Sequence, residues 1–251
     1  MSAAHSRPRA GLFEPLAAFL VVTGLASALF WTSRSVAFVQ QVLHGAIAAF
    51  FLLAPALASR LSGRPFDQQQ TGLGIQPLGL NLRVLGLALL VTWPLFLAGF
   101  FVYYGVLCAP DAPGFLRELA ARLAPICSQW RGLDAHVRLP EGLLTLALAQ
   151  ILVVAVPEEF FFRGYLMLRL EERWPSRRRV AGAAVGWPLL VSSLLFGLGH
   201  FLVDFQPGRL AVFFPALVFG WMRARTGSLA PAATFHALCN LLSEALHTSF
   251  F

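Results

Sequence analysis

The stretch Ala155-Val156-Pro157-Glu158-Glu159-Phe160-Phe161-Phe162-Arg163-Gly164-Tyr165-Leu166 sets two adjacent carboxylates and an arginine inside an apolar run that opens near Leu143. Ionisable groups in such surroundings are costly and point to function. Glu159 and Arg163 are four residues apart, so on a helix they share a face and can neutralise each other. Glu158 points roughly 100° away from Glu159 around the helix axis. It has no partner nearby in the sequence. This spacing divides the labour: Glu159 and Arg163 support, and Glu158 is free to act. The competing bland reading is a helix end at the membrane interface, with all three side chains reaching for water.

Two further stretches carry polar groups in apolar surroundings. One is Phe196-Gly197-Leu198-Gly199-His200 and the other is His236-Ala237-Leu238-Cys239-Asn240. Phe196 lies one turn from His200 and can wall its imidazole from solvent. Gly197 and Gly199 allow a neighbouring helix to come close. His236 and Asn240, at i and i+4, project into the same space. Singly, a membrane histidine reads as a packing residue and an asparagine as interhelical glue. Together the groups suit hydrolysis, which needs a base for water and hydrogen-bond donors for an oxyanion. No Ser-His-Asp or Cys-His arrangement competes. Glu158, His200 and His236 are also a zinc-type ligand set. However, there is no HExxH motif, and asparagine is a poor zinc ligand. A water activated without metal is therefore favoured, with no cofactor, and zinc is the competing expectation.

The elements that must position these groups are membrane helices. Of the 251 residues, 57% are hydrophobic and 12% are charged, and the mean hydropathy is +0.69. Soluble domains carry about 25% charged residues. The expected fold is an all-α integral membrane protein, a bundle of about seven transmembrane helices with an intramembrane catalytic site. The apolar runs cover about 11–31, 36–58, 84–107, 143–170, 180–203, 210–222 and 229–246. Two parts are read within one membrane domain: 1–141, with helices 1–3 and an extracytoplasmic loop, and 142–251, the catalytic helical core. The net charge of +7 comes with no basic stretch interleaved with aromatics, so no nucleic-acid partner is expected. Arginines instead mark alternate loops: Arg7 and Arg9, the segment 60–83, the segment 163–179, and Arg223 with Arg225. The positive-inside rule then puts the N-terminus in the cytoplasm. Segment 110–140 falls outside, with a short amphipathic helix at 115–123. Cys108 and Cys127 flank that helix either as a disulfide or as free thiols. With these boundaries Glu158, His200 and Asn240 lie roughly 9 to 15 Å below the outer surface. The fourth helix must then continue past Arg163, to about residue 170.

Glu-Glu-x-x-x-Arg, Phe-x-x-x-His and His-x-x-x-Asn, in that order on successive membrane segments, resemble the CPBP family. Its members are CAAX-type prenyl endopeptidases and their Abi-like bacterial relatives. The resemblance covers about 143–246, and the first three helices carry none of its motifs. It implies that Glu158 and His200 activate a water, that His236 and Asn240 stabilise the oxyanion, and that Glu159, Arg163 and Phe196 support the site. It also implies a membrane-anchored protein substrate taken from the lipid bilayer, with a myxosortase-like removal of C-terminal anchoring segments as one branch. The sequence does not address oligomeric state. The chain has no lysine, and its 19 Lys/Arg positions are all arginine, which suggests a high-GC bacterium and its inner membrane. The alternative is a transporter or proton-coupled carrier using the same buried groups, extended by Glu244 and His247. Against it stand the lack of an internal repeat and of paired broken helices.

Overall fold

Long apolar runs become helices because a bilayer offers no partner for free backbone N–H and C=O groups. A computed structural model describes residues 11–109, 112–123, 125–132 and 136–251; Arg7 and Arg9, the first topology markers, lie outside them. Three long helices come first: α1 (Phe13–Ser33), α2 (Ala37–Ser62) and α3 (Leu78–Leu107). The short α4 (Gly114–Leu123) follows, matching the expected amphipathic segment. A long helix, α5, then runs Leu143–Arg173. After a small hairpin come α6 (Trp187–Asp204), α7 (Phe213–Thr226) and α8 (Ala230–Phe250). Pro188 and Pro231 open α6 and α8 at positions where a missing N–H costs nothing.

One core joins the two parts of the chain. Phe19 and Val22 of α1 and Val84 and Ala88 of α3 are buried with Phe161, Phe162, Phe196, Phe219 and Phe235 of the later helices. Helix α1 packs on α2 and α6, α2 lies along α5, and α3 contacts α7 and α8. The two glycines of α6 are approach points. A Cβ on Gly197 would lie 3.3 Å from the Leu210 carbonyl oxygen, and one on Gly199 would lie 3.3 Å from the Phe19 ring.

The structure refines three expectations. The fifth apolar run does not start a helix at Val180. Strands β1 (Arg178–Val180) and β2 (Ala183–Val185) pair there as an antiparallel hairpin. Ala181 and Gly182 both have positive φ, +47° and +79°, the backbone of a tight two-residue hairpin turn. Among the described residues, five helices rather than seven are long and apolar enough to cross a membrane: α1, α2, α3, α5 and α6. Helix α7 has 14 residues, about 21 Å at 1.5 Å per residue against a hydrocarbon core near 30 Å. Helix α8 has the length, but it carries the polar residues of the candidate site. Third, the helix ends are not level. Glu158 lies fifteen residues into α5, while His200 lies four residues from the end of α6.

Candidate active site

The helix bearing the carboxylates is not a plain α-helix. Within α5, Gln150–Ala155 and Phe160–Leu166 are π-helical, flanking the single α turn Val156–Glu159. Pro157 has no N–H to give to the carbonyl four residues back, and its ring crowds that carbonyl. The wider turn before it relieves this. Each π turn also changes the phase of the side chains that follow, and such turns collect at functional sites. The helix continues past Arg163 to Arg173, as the joint placement of Glu158 and His200 demands. Ser192 of α6 donates to the Phe162 carbonyl at 2.9 Å, tying the two helices beside the motif.

Glu159 and Arg163 are both fully buried and joined Oε1 to Nη1 at 2.9 Å. Arg163 Nη2 donates to the Ala216 carbonyl at 3.0 Å. Its guanidinium carbon lies 4.5 Å from the Phe196 ring centre and 5.2 Å from that of Phe219. The charge is thus matched by one carboxylate, one carbonyl and two aromatic faces.

Glu159 has a second partner that its sequence neighbourhood does not reveal. His236 Nδ1 lies 3.1 Å from the same Oε1. That oxygen already acts as the acceptor for Arg163, and the imidazole donates to it as well. The ring of His236 stacks on Phe219 at 4.8 Å and 16°. His200 is fixed in a similar way. Its Nδ1 is 2.9 Å from the Phe196 carbonyl, which can only accept, and its ring lies 4.5 Å from that of Phe196.

The two imidazoles therefore turn their Nε2 atoms to a common point. Each lies 3.8 Å from Glu158 Oε2. This exceeds a direct hydrogen bond and is a separation that one shared water oxygen spans. The Glu158 side chain is 13% exposed, His200 27% and His236 6%. Glu158 Oε2 is buried without a protein hydrogen-bond partner. With both Nδ1 atoms committed to their own partners, Nε2 is the atom each ring turns toward Glu158. Asn240, one turn beyond His236, gives its Nδ2–H to Gln150 Oε1 at 2.8 Å.

The structure thus brings Glu158, His200 and His236 together and places Glu159, Arg163 and Phe196 directly behind them. Asn240 stands on the same helix as His236, paired with Gln150. Two contributors escape sequence reasoning. Phe219 is one apolar residue in an apolar run and carries no signal. Gln150 is the one amide in its run, a signal that can be noticed but not interpreted without its partner. Among the described residues, no group of three His, Cys, Asp or Glu side chains is arranged to hold a metal ion.

Nothing among curated proteins or solved structures matches the chain. Residues 140–242 match the family model described as Type II CAAX prenyl endopeptidase Rce1-like. That span contains every residue of the cluster, from Gln150 to Asn240. The protein is therefore an integral membrane protein whose residues 140–242 are similar to the Rce1-like type II CAAX prenyl endopeptidases.

Proposed function

We propose that Glu158 and His200 activate a water for hydrolysis of a peptide bond in a membrane-anchored protein, with His236 and Asn240 as the oxyanion site. The observation that carries this is the buried Glu158 Oε2, with two imidazole Nε2 atoms each 3.8 Å away. A water shared between Glu158 and His200 gives its proton to Glu158 as its oxygen attacks the scissile carbonyl. Glu158 returns that proton to the leaving amine as the C–N bond breaks. Asn240 donates through its amide. His236 gives its Nδ1 proton to Glu159, so it donates to an oxyanion through Nε2 only as an imidazolium. The family match favours hydrolysis over the transporter reading.

The substrate class follows from the family's prenyl endopeptidases and from the orientation read from the arginines. We assign the protein to processing of C-terminal segments of exported or lipidated proteins at a bacterial inner membrane, with an outward-opening site. The Cys108–Cys127 disulfide supports an oxidising compartment for the segment between α3 and α5.

Glu158→Gln and His200→Ala should each lower cleavage about 10²- to 10⁴-fold in purified, folded protein. Comparing membrane proteomes of cells making wild type or Glu158→Gln identifies the substrate. Wild-type turnover in either variant overturns the assignment. Metal dependence is a separate measurement: chelation should leave activity unchanged. Stoichiometric zinc, with activity lost on its removal and restored on its return, would assign Glu158, His200 and His236 as ligands instead.

A further inference from the structure

Gln150 opens the first π turn of α5 and faces α8, the helix that carries His236 and Asn240. Its Oε1 accepts from Asn240 Nδ2 at 2.8 Å, and both residues are only partly exposed. We infer that Gln150 is a positioning residue for the hydrolysis, holding the Asn240 carboxamide with its N–H end toward the reacting carbonyl. This rests on the reading of Asn240 as an oxyanion donor.

Polarity decides which way the amide faces. A carboxamide has a donor end and an acceptor end, and rotation about its last torsion is soft. If Asn240 turned Oδ1 to the oxyanion, it would repel the charge it must stabilise. In the observed contact the Gln150 oxygen accepts, so Asn240 meets it with its Nδ2 end. Nδ2 carries two hydrogens; one goes to Gln150 and the other remains to donate. Gln150 does this without adding charge to a site that already holds two carboxylates. Its place in the π turn, eight residues before Glu158, sets the oxyanion donor and the base from one helix. Pro157 and the wide turn before it thus have a function beyond relieving a backbone conflict.

The chain has two asparagines, Asn81 and Asn240. Protein labelled with ¹⁵N-asparagine therefore shows two side-chain amide pairs, and Asn240→Ala identifies one of them. In Gln150→Met, which keeps the length of the side chain without its amide, the Asn240 pair should shift and its protons should exchange faster with water. With an internally quenched prenylated CAAX peptide as probe, kcat should fall about 10- to 100-fold while KM stays within about threefold. Gln150→Met should add little in an Asn240→Ala background, since the two act through one contact. Gln150→Asn, one methylene shorter, should give a smaller loss and serves if the methionine variant does not fold. An unchanged Asn240 amide signal in Gln150→Met overturns the inference. So does an unchanged kcat where Asn240→Ala is impaired. If Asn240→Ala itself retains full kcat while the amide signal responds to Gln150→Met, the oxyanion reading fails and the contact stands.

Discussion

At the scale of single residues, Glu159 Oε1 serves two donors, Arg163 on its own helix and His236 on α8. Its loss has two consequences. Arg163, fully buried, loses its carboxylate, and breaking such a buried pair costs about 3–5 kcal/mol. His236 loses the acceptor that fixes its Nδ1 proton and ring orientation, so catalysis should fall as well. Glu159→Ala should therefore give less folded protein, and the folded fraction should turn over more slowly than wild type. A variant with unchanged yield and activity would contradict this double role of Glu159. Phe219 is a milder case. It stacks on His236 and faces Arg163, and it holds their planes without touching the proposed water.

At the scale of elements, the end of α5 is anchored apart from the site. Glu14 at the start of α1 is 5% exposed and binds Arg64 Nη1 at 2.6 Å and Arg169 Nε at 3.1 Å. The Tyr165 hydroxyl donates to it at 3.1 Å. Arg169 also donates to the Arg64 and Pro65 carbonyls and to Glu172. This network joins α1, the segment after α2 and the last turns of α5, which explains how the first helices hold the catalytic helix in place. Removing one partner of a buried ionic cluster leaves uncompensated charge. Glu14→Ala should lower stability by about 3 kcal/mol, read as an earlier thermal transition in detergent. Its kcat should stay near wild type, because Glu14 touches none of the site residues. An unchanged transition would mean that the network contributes no stability.

At the scale of the whole molecule, orientation decides which compartment supplies the substrate. With the N-terminus in the cytoplasm, the segment between α3 and α5 lies outside and the hairpin before α6 lies inside. Val137, 79% exposed, and Arg178, also exposed, sit on these two segments. Single cysteines at these positions, with Cys239 replaced by alanine and Cys108–Cys127 kept, report the two sides. A membrane-impermeant thiol reagent should label Val137→Cys in intact cells and Arg178→Cys only after permeabilisation. The reverse pattern would overturn outward opening and leave the hydrolytic chemistry untouched.

The features legible from the sequence alone lie within a turn or two of helix. Glu159 and Arg163 share a face at i,i+4, His236 and Asn240 do the same, and the long apolar runs require membrane helices. These follow from helical period and from the cost of free backbone groups in lipid. The three motifs also carried the family resemblance that the match at residues 140–242 supports. Contacts across long separations emerged only once the helices were packed. Glu159 meets His236 across 77 residues, Asn240 meets Gln150 across 90, and Glu14 meets Arg169 across 155. The cluster forms although its helix ends are not level, because stagger and packing, rather than counting from the ends, set which turns face each other. Local spacing says which side chains share a face. Which face of another helix they meet depends on glycine approaches, π turns and aromatic packing that act across the whole bundle.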